Sequence, residues 1–243
     1  MHLLMILLAF SLAWNIRLTS PQSIGNWTER WRRSLFLFLF PPLLLLTTAI
    51  AVLCMGYEGS MLGLQASWSS YMLAVIFISC ASIALLQITY QVCLTLRRIR
   101  SYPQQLIAGK SAKILDISFP YSAQIGFWEP KLVISQGLLN SLDPRHLQAV
   151  LAHEQAHYHY RDTFWFFWLG WLQYFTVWLP NTEALWQELL LLREMRADRQ
   201  ASQEVDALLL AESLLIITQS VSQSTPFNVG KSFCVGISCT VPR

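Results

Sequence analysis

Charge is scarce in this chain. Asp, Glu, Lys and Arg make up 13% of the 243 residues, against about 25% in a soluble domain. Hydrophobic residues make up 54% and the mean hydropathy is +0.40. That balance excludes a disordered, solvated chain and points to a membrane protein. Basic residues are few and spread out: 13 Arg, 4 Lys and a formal net charge of +3. No basic stripe with interleaved aromatics occurs, so no nucleic-acid partner is expected. The 5 cysteines form no C-x-x-C pair. Cys54, Cys80 and Cys93 sit in apolar runs, where cysteine packs as a small hydrophobe. Cys234 and Cys239 lack a second pair to complete a zinc set. A disulfide scaffold is excluded on the same ground.

The apolar runs set the organisation. Leu3–Leu18 reads as a first helix retained in the protein, because the positive charges follow it rather than precede it. Residues 35–55 read as a second span, with Pro41-Pro42 near one end to set a first turn or a kink. Residues 71–96 read as a third. Arg17 ends the first span and Arg30, Arg32 and Arg33 follow before the second, no Lys or Arg lies in 57–70, and Arg97, Arg98 and Arg100 follow the third. The positive-inside rule then places the N-terminus and 57–70 outside, and everything after Arg97 in the cytoplasm. Residues 164–179 form a shorter run dense in Trp and Phe, followed by Pro180-Asn181. Sixteen residues make about 24 Å of helix, less than the ~30 Å hydrocarbon core. A re-entrant or interfacial hairpin over 164–181 fits better than a crossing.

Histidine is also scarce, yet three of the five fall within seven residues, in His153-Glu154-Gln155-Ala156-His157-Tyr158-His159. On a helix, residues four apart share a face, so His153 and His157 can close on one ion with Glu154 beside it. This is the H-E-x-x-H arrangement, two His ligands and a Glu general base for zinc. By composition alone such a match is expected roughly 0.004 times in a chain like this. Asp143-Pro144 marks the start of the helix that carries it, as N-cap and first helical residue. His146 and His159 are read as surface residues without a catalytic part.

A catalytic zinc usually takes three protein ligands and a water. No histidine follows His159, so the third ligand should be a carboxylate from Glu183, Glu188, Glu194, Asp198, Glu204 or Asp206. Glu194 is preferred, with Glu188 next. Asp198, one helical turn beyond Glu194, could then hydrogen-bond a ligand imidazole and fix its tautomer. Taken alone, Arg193-Glu194-Met195-Arg196 would read as an exposed helix with alternating charge. Elsewhere, residues 112–118 and 124–135 read as short strands forming a hairpin, which could hold an extended substrate at its edge or serve structure alone. Residues 203–222 read as an amphipathic helix, and 223–243 show no periodicity.

Two segments carry a family resemblance. Gly126-Phe127-Trp128-Glu129-Pro130-Lys131-Leu132-Val133-Ile134-Ser135-Gln136-Gly137-Leu138-Leu139 precedes Leu147-Gln148-Ala149-Val150-Leu151-Ala152-His153-Glu154. Together they resemble two related groups of membrane metallopeptidases: the heat-shock and prenyl-protein proteases, and the antirepressor peptidases that sense β-lactams. Residues 158–162, the aromatic run ending at Pro180-Asn181, and Glu194 to Asp198 are most similar to the antirepressor group. The resemblance covers about residues 97–220 and implies zinc bound by His153, His157 and Glu194. It also implies Glu154 as base and Asp198 orienting His153. That group often has Cys where this chain has Ala197, and the sensors carry a penicillin-binding domain absent from this sequence.

The expectation is a mainly α membrane protein with three transmembrane helices, a re-entrant hairpin and a small α+β zincin-type cytoplasmic protease domain. The segments are 1–96 for the transmembrane helices, 97–163 for the first protease part with the zinc helix, 164–181 for the hairpin and 182–243 for the second protease part. The expected function is a membrane-bound zinc endopeptidase with a cytoplasmic or membrane-proximal protein substrate. The alternatives are an intramembrane protease and a non-catalytic signal transducer keeping a metal-binding fold.

Overall fold

The structure, a computed structural model, describes residues 2–18, 25–56, 60–61, 64–65 and 68–223. Cys234, Cys239, the tail from 224 and half of the 57–70 loop lie outside the described residues. The chain is mostly helical, with a small four-stranded sheet. It divides into two units, Met1–Gln87 with Trp171–Leu192, and Ile88–Gly170 with Arg193–Arg243.

The first unit holds α1 (His2–Leu18), α2 (Trp27–Met55), a two-residue pair β1 (Ser60–Met61) and β2 (Leu64–Gln65), and most of α3 (Trp68–Arg100). Two helices, α2 with 29 residues and α3 with 33, are long and apolar enough to cross a membrane. The 17 described residues of α1 make about 26 Å of helix, short of a full hydrocarbon core. Small residues let α1 and α2 approach: Ala9, Ala13 and Ala49 are buried, with Leu45 and Val52 beside them.

The two prolines do not lie near an end of their helix, as expected from sequence. Asn26 caps α2 by accepting from Thr28 N, so the helix starts at Trp27 and carries Pro41 and Pro42 buried mid-length. Pro42 has no N–H to offer the carbonyl of Phe38, four residues back. Arg17 fills that gap. Its guanidinium is fully buried, donates to Phe38 O at 3.1 Å and lies 5.2 Å from the Phe38 ring centroid. Pro42→Ala would restore a backbone donor, so the effect of Arg17→Met on thermal unfolding in detergent should shift by about 1 kcal/mol between the two backgrounds. Identical effects in both backgrounds would show that the carbonyl does not depend on Arg17.

The second unit holds β3 (Gln104–Ile107), β4 (Lys110–Leu115), β5 (Ser122–Ile125), β6 (Lys131–Ser135), α4 (Gln136–Ser141), α5 (Pro144–His159) and α8 (Ala207–Gln223). It also holds parts of α6 (Asp162–Phe175) and α7 (Thr182–Ala201). The sheet order is β3-β4-β6-β5. The expected hairpin of 112–118 with 124–135 is different here. Residues 124–135 fold back on themselves as β5 and β6, and β4 pairs with β6 in parallel. The fold-back turns at Gly126, whose φ of +150° favours glycine and where a Cβ would meet Glu129 O and Pro130 Cα at 2.8 Å. Gly137 has the same necessity, since a Cβ there would lie 2.1 Å from Ser118 O.

One face of the sheet buries Ala112, Leu132 and Ile134 against Val150 and Leu151 of α5 and Leu138 of α4. The other face buries Leu115, Ala123, Ile125 and Val133 with Ile99 of α3. The opposite side of α5 is alanine-lined, and Ala149 and Ala152 pack on Ala201 and Leu210. The helix α5 is therefore clamped between the sheet and α8, which fixes the direction of its remaining side chains.

Candidate metal centre

Local sequence sets α5 as expected. Asp143 accepts from His146 N, Pro144 occupies the first turn, and the helix ends at His159. Within it His153 and Glu154 are each 6% exposed, which is rare for such groups without partners. The partners come from three other places in the same unit.

His153 Nε2 and His157 Nε2 are 3.0 Å apart. Glu194 Oε2 of α7 lies 3.3 Å from the first and 3.4 Å from the second. These atoms form a group able to hold a metal ion. A tetrahedral zinc with bonds of 2.0–2.1 Å separates its ligand atoms by about 3.3 Å, which is the spacing seen here. The donor set makes the same point chemically. His157 Nδ1 bonds Asp162 Oδ2 at 2.7 Å. His153 Nδ1 is 2.9 Å from Asp198 Oδ1, close enough for an ion pair though off the line of the ring N–H. With each Nδ1 turned to a carboxylate and carrying the proton, both Nε2 atoms present lone pairs. Two imidazole nitrogens and a carboxylate oxygen facing one another at 3.0–3.4 Å make a site that could hold a metal ion.

The surrounding residues hold each ligand. Arg161 adopts φ +53°, and this turn after α5 brings Asp162 back to His157. Arg196 grips the other oxygen of Asp162 and stacks 4.2 Å from the Tyr160 ring centroid. Arg193 is buried, bonds Glu194 Oε1 through Nε at 3.0 Å, and stacks over Phe166 at 4.8 Å. Glu194 thus has one oxygen tied to arginine and the other aimed at the imidazoles. Glu154 Oε1 accepts from Ser122 Oγ of β5 at 2.7 Å.

The electrostatics follow from these contacts. Burial opposes charge on His153 most strongly, but the carboxylates of Asp198 and Glu194, helped by Glu154, outweigh it together and push the imidazole up to about 10. For His157 burial again opposes, and Asp162 and Glu194 raise it above its ordinary value. Burial would lift Glu194, yet His153, His157 and Arg193 hold it far below the usual carboxylate range. Without a metal, the cluster therefore retains protons in place of the cation.

The structure brings together His153, His157, Glu194 and Asp198, with Glu154 on the same helix. Glu188, the alternative third ligand, bonds Arg30 at 2.8 Å instead. Glu183 takes Gln173 and Gln187, and Asp206 caps α8 through Leu208 N and Leu209 N. His146 pairs with Asp143 and lies 3.6 Å from Glu212, and His159 meets the Tyr160 ring edge-to-face. Sequence reasoning missed Asp162 as the partner of His157 and Ser122 as the partner of Glu154. It also gave Arg193 and Arg196 no part in holding the carboxylates. The signal for Asp162 was its place five residues after His157, just past the helix end. Ser122 had no local signal.

Against known proteins, the profile of Peptidase family M48 matches residues 119–225. The matched stretch runs from the residues before β5 through α8 and contains every residue of the cluster. It supports a metallopeptidase of a zinc-dependent family. No curated protein matches the chain.

Proposed function

We propose that this chain is a membrane-bound zinc endopeptidase that hydrolyses a peptide bond in a cytoplasmic or membrane-proximal protein. The observation that carries the reading is the triangle of His153 Nε2, His157 Nε2 and Glu194 Oε2 with edges of 3.0, 3.3 and 3.4 Å, each vertex braced from behind. In this reading those three residues hold the ion, and Asp198 and Asp162 fix the imidazole tautomers. Zinc bound there would act as a Lewis acid and bring the pKa of a water toward ~7.

Glu154 is the base. Its Oε1 is occupied by Ser122, so the proton of the attacking water goes to Oε2. The same oxygen then returns it to the leaving amine. Among the described residues β5 pairs only with β6, and its other edge is open to an extended peptide. Ser122, at the start of that strand, joins it to Glu154. Tyr158, Tyr160 and Arg199 are the candidates to stabilise the oxyanion; the Tyr160 hydroxyl is bonded to Gln200 at 3.2 Å, which leaves Tyr158 and Arg199. The two apolar helices α2 and α3 support anchorage in a bilayer, and the charges at Arg97, Arg98 and Arg100 support a cytoplasmic site. By resemblance to the antirepressor group, a regulatory protein is the substrate class.

The full chain, purified in detergent micelles and loaded with zinc, should cleave casein or itself. Chelation should stop the reaction and added zinc restore it. Stoichiometric zinc with no turnover on either substrate would favour the non-catalytic transducer.

A further inference from the structure

Only four lysines occur in the sequence, and three of them, Lys110, Lys113 and Lys131, line one cavity of about 390 Å³ beside the cluster. No carboxylate lines it. Gln124 of β5 and Gln155 and Tyr158 of α5 complete its inner wall. Gln124 is 7% exposed, and its Oε1 has no hydrogen-bond partner. A buried amide oxygen left open in this way costs about 1–3 kcal/mol unless a ligand or water satisfies it.

Two of the lysines are positioned by backbone carbonyls. Lys110 Nζ lies 3.4 Å from Leu151 O on the α5 face of the sheet, and Lys113 Nζ, on the other face, donates to Tyr102 O at 2.8 Å and lies 3.4 Å from Arg100 O. Each ammonium has three donors, so these contacts hold the head group without using it up. Lys131 is exposed at the start of β6.

The cavity adjoins the catalytic residues along two elements. On β5, Gln124 follows Ser122 by two residues, which places both side chains on one face about 7 Å apart. On α5, Gln155 and Tyr158 directly follow Glu154 and His157. A peptide with its scissile bond at Glu154 therefore carries a neighbouring side chain toward Gln124, Gln155 and Tyr158, the inner wall of the cavity that the lysines also line.

We propose that this cavity is a substrate subsite selecting an Asp or Glu side chain near the scissile bond. Gln124 Oε1 accepts a backbone N–H of the same peptide. The proposal rests on the peptidase reading for its position, but the charge preference can be read by binding alone.

The test uses the full chain in detergent micelles, zinc-loaded and carrying Glu154→Gln so that nothing is cleaved. Two fluorescent heptapeptides, identical except for a central Glu or Gln, are titrated by anisotropy. The Glu peptide should bind about tenfold tighter or more, and added salt should shrink the difference. Lys131→Glu should abolish or invert the preference, and Lys131→Arg should keep it. Equal binding of the two peptides overturns the proposal, and so does a preference untouched by Lys131→Glu. Competition by phosphatidylserine micelles but not by phosphatidylcholine micelles, at concentrations that leave the neutral peptide bound, would assign the lysines to a lipid headgroup and overturn it as well. Failure of the wild-type chain to cleave casein while the Glu preference holds would count against the peptidase reading and leave the anion subsite standing.

Discussion

Glu154→Gln should retain the metal and lose peptide hydrolysis by about 10³-fold or more, within the range general acid–base catalysis supplies. The two halves of this expectation have separate causes. The ligand atoms of the cluster come from His153, His157 and Glu194, so replacing Glu154 removes none of them. Gln keeps an amide oxygen to accept from Ser122 Oγ, so the buried contact at 2.7 Å can survive. What disappears is an oxygen able to take a proton from water and give it to an amine. Metal content by mass spectrometry and casein turnover in micelles read the two quantities independently. Unchanged turnover would remove Glu154 as the base. Loss of metal together with activity would show that the residue belongs to the ligand set instead. Ser122→Ala should fall between these extremes, because it frees Glu154 Oε1 without removing the carboxylate.

The site was legible where chemistry is written in local spacing. Residues 153, 154 and 157 sit on one helix, and the i, i+4 rule suffices to bring two imidazoles together. Glu194 was reachable because a metal with two ligands lacks a third, and the supply of later His was exhausted. Asp198 followed from the helical turn that separates it from Glu194. The buried arginines were not legible. Arg193 and Arg196 look like an exposed helix in sequence, and only tertiary packing on Phe166 and Tyr160 turns them inward against Glu194 and Asp162. Ser122 was hidden for the same reason, since its contact with Glu154 spans 32 residues.

The fold shows a parallel division. Turn signals at Gly126 and Glu129-Pro130 were correct markers, but they separate β5 from β6 rather than sitting inside one strand. The parallel pairing of β4 with β6 is a long-range register that alternation alone does not encode. Span lengths were read from apolar runs, so the polar start of α2, Trp27 to Ser34 behind the Asn26 cap, went unseen. Among the described residues two helices have the length and apolarity of spans, and α1, which covers the expected first span Leu3–Leu18, has 17 described residues.

Loading the metal should release protons, and the affinity should climb with pH. In the metal-free protein the carboxylates around His153 raise it to about 10, so this ring carries charge at neutral pH, and Asp162 and Glu194 raise His157 above its ordinary value as well. Glu194 is held far below the usual range and is already ionised, so it contributes no proton. An ion can bind only neutral imidazoles. Below pH ~10 the proton displaced from His153 makes the apparent affinity rise about tenfold per pH unit. Loading near pH 7 should therefore release about one proton or more. Titration calorimetry in buffers of different ionisation enthalpy measures that number directly. The sign for stability runs the other way in the metal-free chain. A raised imidazole pKa favours the fold fully below the unfolded value of about 6.5, and this contribution disappears as the pH rises through the folded pKa near 10. The melting temperature gained on adding zinc should accordingly widen from pH 6 to pH 9, because the loaded form strengthens while the unloaded form weakens. Asp162→Asn should flatten this slope and lower zinc affinity by about 10–100-fold, since it weakens the hold on His157 Nδ1. A zinc affinity that does not change with pH, with no proton released, would mean that the two imidazoles are not what the ion displaces protons from.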